Sequence, residues 1–173
     1  MNNFTEDKND NDYLTIEAYG SIHMNKSVWY NAKPQELTTD QVESLVKQLK
    51  TNSTISILSL QNTNLNAASA YHLSKLLKVN TKIKWLHLSH NEITDVGVQA
   101  ICSVMETNNR TVTFLDLAKN RITDKSVDQI IQMILKNPQL VALILRVNYL
   151  SIEGQQRIVD IAVSRKPRLR IYL

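Results

Sequence analysis

Apolar residues recur along the chain in a pattern of eleven positions, written apolar-x-x-Leu-x-Leu-x-x-(Asn or Thr)-x-(Leu or Ile). It occurs four times, as ISILSLQNTNL, IKWLHLSHNEI, VTFLDLAKNRI and LVALILRVNYL. The four copies begin at Ile55, Ile83, Val112 and Leu140, which gives intervals of 28, 29 and 28 residues. A period of this length is typical of a solenoid, in which each unit buries its apolar face against the next unit.

Each unit contains two kinds of periodicity. The Leu-x-Leu core alternates apolar and variable positions, which predicts a short β-strand with its leucines pointing inward. The stretch that follows has a helical period: Val98, Ile101 and Met105, for example, fall on one face of a helix. The chain is therefore predicted to be an α/β protein with one strand and one helix per unit.

The pattern also predicts how the chain is divided. A degenerate unit begins near Ser27, and RLRIYL supplies a final half-unit. The segment YLTIEAYGSIHMNKSVWY alternates around Gly20-Ser21 and predicts a β-hairpin cap. We predict a disordered tail at residues 1–12 and one repeat domain at residues 13–173. Within the domain, residues 13–54 are the cap with the degenerate repeat, residues 55–167 are the four repeats, and residues 168–173 are the terminal strand.

These repeats resemble those of leucine-rich-repeat proteins of the ribonuclease-inhibitor type, the class with 28–29-residue units and a full helix in each unit. The resemblance covers roughly residues 27–173. It implies a right-handed horseshoe with a parallel sheet on the concave face and helices on the convex face. It does not imply a single function, because unrelated functions share this fold.

Two recurring polar positions have a structural interpretation. The ninth position holds Thr63, Asn91, Asn120 and Asn148, where the chain leaves the strand. An asparagine side chain both donates and accepts, so stacked asparagines can bridge the buried backbone of successive turns. Asparagine also recurs near the end of each helix, at Asn52, Asn80, Asn108 and Asn137.

Residues beside the core leucines line the concave face and are the candidate partner-binding residues. We assign nine of them: Trp29, Ile57, Trp85, Phe114, His87, Asp116, Ile144, Tyr172 and Arg146. Trp85, Phe114 and His87 are expected at the centre of the contact, because large aromatic residues dominate binding surfaces. The alternative is that a neighbouring loop or the cap covers this aromatic column.

Metal and catalytic sites are not favoured. His87 and His90 are three residues apart at a strand, so they point to opposite faces, and zinc needs three or four convergent ligands. Cys102 follows Ile101 on a predicted helix and is expected in the core. The chain has no Gly-rich phosphate loop and no nucleophile beside a base, so we predict a non-enzymatic protein without a cofactor.

The net charge is +4 and is uneven along the chain. Residues 1–12 are mostly acidic, whereas the C-terminal end is basic through Arg157, Arg165, Lys166, Arg168 and Arg170. A basic end can bind nucleic acid or an anionic surface, which is the alternative function. No apolar run has transmembrane length. The single cysteine fits a reducing compartment, and we predict a cytoplasmic location.

The leading prediction is a protein–protein interaction module that binds a partner protein through its concave face. The Asn- and Lys-rich composition and the small size favour a bacterial effector, which would be translocated into the host cell. The terminal strand leaves one sheet edge unpaired, which predicts pairing with a second copy, with another protein or with residues absent from this chain. Nucleic acid is the less favoured partner.

Overall fold

The computed structural model describes the backbone of residues 13–15 and all atoms of residues 36–173. Short strands alternate with helices along the described chain. The strands are β1 Tyr13–Thr15, β2 Ile57–Ser59, β3 Trp85–His87, β4 Phe114–Asp116, β5 Ala142–Ile144 and β6 Arg170–Tyr172. The helices are α1 Thr39–Leu49, α2 Ala67–Leu77, α3 Asp95–Thr107, α4 Val127–Lys136 and α5 Ile152–Ser164, with a 3₁₀ turn at Asp124–Ser126 before α4.

The six strands form one parallel sheet in chain order. The register places equivalent residues of successive units side by side, so that Ile57, Trp85, Phe114, Ala142 and Arg170 form one column. Each helix packs against the helix of the next unit. This is the solenoid that the repeat pattern predicts.

The core lies between the sheet and the helices. The paired leucines of each unit, such as Leu86 and Leu88, are fully buried. They pack with the apolar face of the helices, which includes Val98, Ile101 and Met105. The helix starts come close together because the column there holds small residues. A Cβ atom added to Gly97 would lie 2.9 Å from the Cβ of Ala70 on the neighbouring helix.

The N-terminal neighbour of β2 differs from the prediction. The repeat alignment places Trp29 and Asn31 beside Ile57 and Ser59, but the residues paired there are Tyr13 and Thr15. A parallel ladder uses backbone groups, so an extended segment without the leucine spacing can form it. Trp29, the predicted hairpin turn and the predicted disordered tail lie outside the described residues.

Asparagines at the ninth position connect successive turns. The Asn91 Oδ1 accepts hydrogen bonds from the backbone N–H groups of Thr63 at 3.0 Å and Leu65 at 2.9 Å. Its Nδ2 donates to the carbonyls of Leu60 and Leu88. Asn120 and Asn148 repeat this arrangement one and two units later. Thr63 instead donates to the Leu60 carbonyl within its own turn.

A second ladder runs along the helix ends, and its third member is Asn109 instead of the predicted Asn108. Asn80, Asn109 and Asn137 each donate to a carbonyl of the preceding helix. Asn109 is buried, whereas Asn108 is the exposed C-cap of α3. The longer 29-residue interval between Ile83 and Val112 adds the residue that shifts this position.

Candidate protein-binding face

The concave face is the side of the sheet opposite the helices, formed by the first and third residue of each strand and by the residue two positions after the strand, such as Arg146. Among its described members, Trp85 has 47% of its surface exposed and Tyr172 has 39%. Phe114, Ile57 and Ile144 are half-buried, as is His87. The exposed indole at the middle of a sheet makes this face the first candidate for a binding surface.

Three aromatic rings meet at the centre of the concave face. Trp85 and Phe114 are neighbours in the register, with ring centroids 5.7 Å apart. The His87 ring lies 4.9 Å from that of Phe114 and 6.4 Å from that of Trp85. The column spacing of parallel strands brings them together, and their mutual contact holds the rings in place before any partner arrives.

Asp116 is the acidic member of this cluster and is largely buried. Its Oδ1 accepts a hydrogen bond from the Ala118 backbone N–H at 2.9 Å, and its Oδ2 lies 4.0 Å from the His87 Nδ1. Burial lowers the pKa of His87, and the charge of Asp116 only partly offsets that effect. His87 is therefore a neutral aromatic surface at pH 7, with a carboxylate beside it.

The C-terminal part of the concave face is different in kind. Ala142 is buried, so the aromatic column stops after Phe114. Here Arg146 lies over the Tyr172 ring, with its guanidinium carbon 5.4 Å from the ring centroid. The described members of the predicted site therefore form two groups: an aromatic group on β3 and β4, and an arginine–tyrosine pair beside β5 and β6.

The other candidate residues have structural surroundings. His90 has a φ of 58° and is exposed in the loop after β3, whereas His87 is the last residue of the strand. Burial raises the pKa of the Cys102 thiol to about 12, so it is protonated and unreactive at neutral pH. Within the described part of the chain, no three His, Cys, Asp or Glu residues are grouped as metal ligands would be.

The basic C-terminal cluster is smaller than the sequence predicts, because Arg165 is buried. Its Nη1 donates to the Asn137 carbonyl at 3.1 Å and its Nη2 to that of Pro138 at 3.2 Å. Arg165 occupies the place after Asn137 in the helix-end ladder and is unavailable to phosphate. Arg157 forms an ion pair with Asp128. Arg157 is exposed but paired, whereas Lys166, Arg168 and Arg170 are exposed and form no ion pair within residues 36–173.

Sequence reasoning missed a second exposed apolar set, which we call the loop-edge triad. It consists of Val147, Tyr149 and Ile152, with exposed fractions of 69%, 70% and 87%. The signal is present in the repeat alignment, since other units hold polar or small residues at these positions.

A family model described as "Leucine Rich repeat" matches residues 79–102 and 108–130. These two segments contain β3 with the start of α3, and β4 with the start of α4. This chain carries leucine-rich repeats. Together with the parallel sheet and the regular helices, the match establishes a leucine-rich-repeat solenoid.

Among the described residues, no helix is long and apolar enough to cross a bilayer.

Two curated relatives share part of the chain. It is 30% identical over 146 residues to mouse "NACHT, LRR and PYD domains-containing protein 14", an alignment that covers 83% of this chain. It is 31% identical over 74 residues to rat leiomodin-2, which covers 43% of this chain. The matches span only 15% and 14% of those relatives, so this chain corresponds to a small part of each.

Two solved structures have the same fold. The structure titled "Leiomodin-1 Actin-Binding Site 2 (ABS2)" matches with a TM-score of 0.64 and 23% identity, covering 72% of each chain. A tropomodulin C-terminal domain from Caenorhabditis elegans matches with a TM-score of 0.60 and 16% identity, covering 72% of this chain and 75% of that one. At these identities the likeness concerns the fold alone.

Proposed function

We propose that this protein is a non-enzymatic interaction module that binds a partner protein through the concave face. The observation that carries the proposal is the cluster of Trp85, Phe114 and His87, with a half-exposed indole at its centre. Such a cluster supplies a large apolar contact area at low ordering cost, because the sheet already fixes the rings.

Polar groups around the cluster would select the partner. Asp116 places a carboxylate beside the rings, while Arg146 lies near the other end of the face. The partner is therefore expected to present apolar side chains to β3 and β4, with a cation toward Asp116 and an acidic or aromatic group toward Arg146. Ile57, Ile144 and Tyr172 extend the contact to both sides.

Actin is the first partner to test. The matching leiomodin-1 structure is titled as an actin-binding site, and leiomodin-2 is also similar in sequence. The proposal for this chain does not depend on actin, since the same face can bind other proteins.

Three further predictions from the sequence remain proposals. The unit length and the helices of 10 to 13 residues in the last four units support the ribonuclease-inhibitor type of repeat. A bacterial effector that acts in a host cytoplasm rests on composition and size alone. Self-association would use the edge of β6, which is the last strand of the sheet.

Nucleic-acid binding is the second candidate, and the structure reduces its support. Arg165 and Arg157 are engaged within the protein, which leaves Lys166, Arg168 and Arg170. Three exposed cations give a weak, salt-dependent contact with phosphates. Binding of this kind would fall steeply with salt and would not depend on the concave aromatics.

A pull-down from cell lysate, read by quantitative mass spectrometry, tests the proposed function, with purified filamentous actin as a separate arm. We expect Trp85→Ala/Phe114→Ala to lose the proteins that wild type retains, corresponding to at least a roughly tenfold loss of affinity. The matched control is Tyr71→Ala/Val96→Ala, which removes exposed apolar side chains from α2 and α3.

The outcome separates the two candidate functions. Loss of partners with the concave variant alone supports the concave face. Equal retention by the concave variant, together with loss in Lys166→Ala/Arg168→Ala/Arg170→Ala, would refute the proposal and favour an anionic partner. Circular dichroism on every variant shows that the fold is kept.

A further inference from the structure

The loop-edge triad, Val147, Tyr149 and Ile152, lies in one loop and at the first residue of α5. All three side chains are more than two thirds exposed. Their chain positions place them at the edge of the sheet where strands end, beyond the concave face. Three large apolar residues exposed within six positions form an uncommon surface on a small protein.

The repeat itself supplies the comparison that makes these residues unusual. The unit that begins at Ile55 has Asn62, Asn64 and Ala67 at the equivalent positions. The next two units have charged residues or histidine there: His90, Glu92, Asp95, Lys119, Arg121 and Asp124. The polar residues support the fold, as when Asp95 accepts hydrogen bonds from Thr123 and Ser126 of the following unit. The last unit has apolar residues without such a role.

Val147 also has an unfavourable backbone conformation. Its φ is 57°, as at the equivalent Asn62, His90 and Lys119, whose φ values are 57°, 58° and 52°. Asparagine tolerates this left-handed region, whereas a β-branched residue is strained in it. The valine side chain is exposed, so no packing within the described residues compensates for that strain. Strain of this kind is often found at functional sites.

The charges beside Val147 indicate what the surface would accept. Lys119 is the neighbour of Val147 in the loop column, and its N–H donates to the Arg146 carbonyl at 2.8 Å. Both Lys119 and Arg146 are exposed, and no carboxylate of residues 36–173 forms an ion pair with either. The carboxylates of this region, Asp124 and Glu153, lie next to Ser151 and Ile152 instead.

We infer that the loop-edge triad is a second docking surface, which takes a protein segment with apolar residues beside acidic residues. The apolar residues cover Tyr149 and Ile152, and the acidic residues lie over Val147 toward Lys119 and Arg146. The inference does not require the proposed function, since none of the three triad residues belongs to the concave columns and Arg146 is the one residue that the two surfaces share.

The probe is a phage library of random twelve-residue peptides, selected on the full-length wild-type protein. The subtracting variant is Val147→Asn/Tyr149→Asn/Ile152→Ala, which installs the residues of the unit that begins at Ile55 without changing the charge. The most enriched peptide is then synthesised with a fluorescein label, and its Kd is measured by anisotropy. Urea unfolding of each variant reports the fold.

We expect enriched peptides in which Asp or Glu lies beside a large apolar residue. The triple variant should raise the Kd at least about tenfold, because the apolar contact is lost. Lys119→Glu should raise it about threefold and reduce the salt dependence of the Kd, because one attractive charge pair is lost. Trp85→Ala/Phe114→Ala should leave it unchanged.

Three results would overturn the inference. One is enrichment of peptides without acidic residues beside the apolar ones, and another is equal affinity for the triple variant. The third is loss of affinity only in Trp85→Ala/Phe114→Ala, which would support the proposed function while rejecting this second surface.

Discussion

The middle units and the last unit have the same interior but opposite outer surfaces. In the units of β3 and β4, Trp85 and Phe114 put apolar rings on the concave face, and the loops carry charge. In the unit of β5, the concave column holds buried Ala142, while the loop exposes Val147 and Tyr149. Exposed apolar surface has thus moved from the concave face to the loop edge, although the backbone repeats.

The comparison separates residues that specify the fold from residues that are free to specify partners. Core leucines and ladder asparagines occupy the same positions in both units. The asparagines recur because each buried backbone group needs a hydrogen-bond partner. In the outer columns only some side chains, such as Asp95 and Asp116, hydrogen-bond to the fold, and the others have no such constraint. Differences between units in those columns therefore indicate recognition more directly than any single motif does.

The largest expected effect concerns the end of the helix-end ladder. Arg165→Met should lower the free energy of unfolding by about 3 kcal/mol, because it leaves buried carbonyls such as that of Leu140 without the donor that Arg165 supplies. Urea denaturation followed by far-UV circular dichroism measures it. Arg168→Met is the control, since Arg168 is exposed. A loss below about 1 kcal/mol would mean that Arg165 is not a ladder member.

A smaller effect of opposite sign is expected at the loop edge. Val147→Asn should raise the free energy of unfolding by about 1 kcal/mol, because asparagine relieves the strain of a positive φ. The reciprocal change, Asn62→Val, should lower it by a similar amount. Thermal and urea unfolding of both variants measure the pair. If Val147→Asn is destabilising instead, the side chain has a packing role that the comparison denies.

The smallest effect concerns His87 in the middle units. Because burial lowers its pKa, the folded protein binds this proton less tightly than the unfolded chain does. The contribution of neutral His87 to the free energy of unfolding is complete above the pKa that His87 has in the unfolded chain. It is lost as the pH falls through the lower pKa that His87 has in the folded protein. Between pH 7.5 and 5.5, the free energy of unfolding should fall further in wild type than in His87→Gln. The difference between the two decreases should be below about 1 kcal/mol. A smaller decrease in wild type than in His87→Gln would show that the charge of Asp116 affects the pKa of His87 more strongly than burial does.

The sequence predicts the interior of this molecule well because the interior is periodic. Strand registers, the buried leucines and the turn asparagines all follow from the 28- to 29-residue interval. The prediction from the sequence fails at two positions of the helix-end ladder. One inserted residue makes Asn109 the ladder member instead of Asn108, and Arg165 occupies a ladder position that asparagine holds in other units. Neither change alters the apolar pattern on which the alignment depends.

The surface was harder to predict for a related reason. The concave columns could be written down from alternation alone, and the register places Trp85 beside Phe114 as expected. How far each side chain is exposed depends on its neighbours, as buried Ala142 and Asp116 show. The positive φ at position 147 of the loop-edge triad is a further example, because a valine does not itself suggest it.

Site-directed photo-cross-linking tests the concave face most directly. A photoreactive amino acid replaces Ala118 beside the aromatic cluster in one variant and Val96 on α3 in the other, and both are exposed to the same cell lysate. We predict cross-linked partner proteins from position 118 that disappear when Trp85→Ala/Phe114→Ala is added, and few from position 96. Cross-links from position 96 alone, or cross-links from position 118 that persist without the two rings, would contradict the concave-face account.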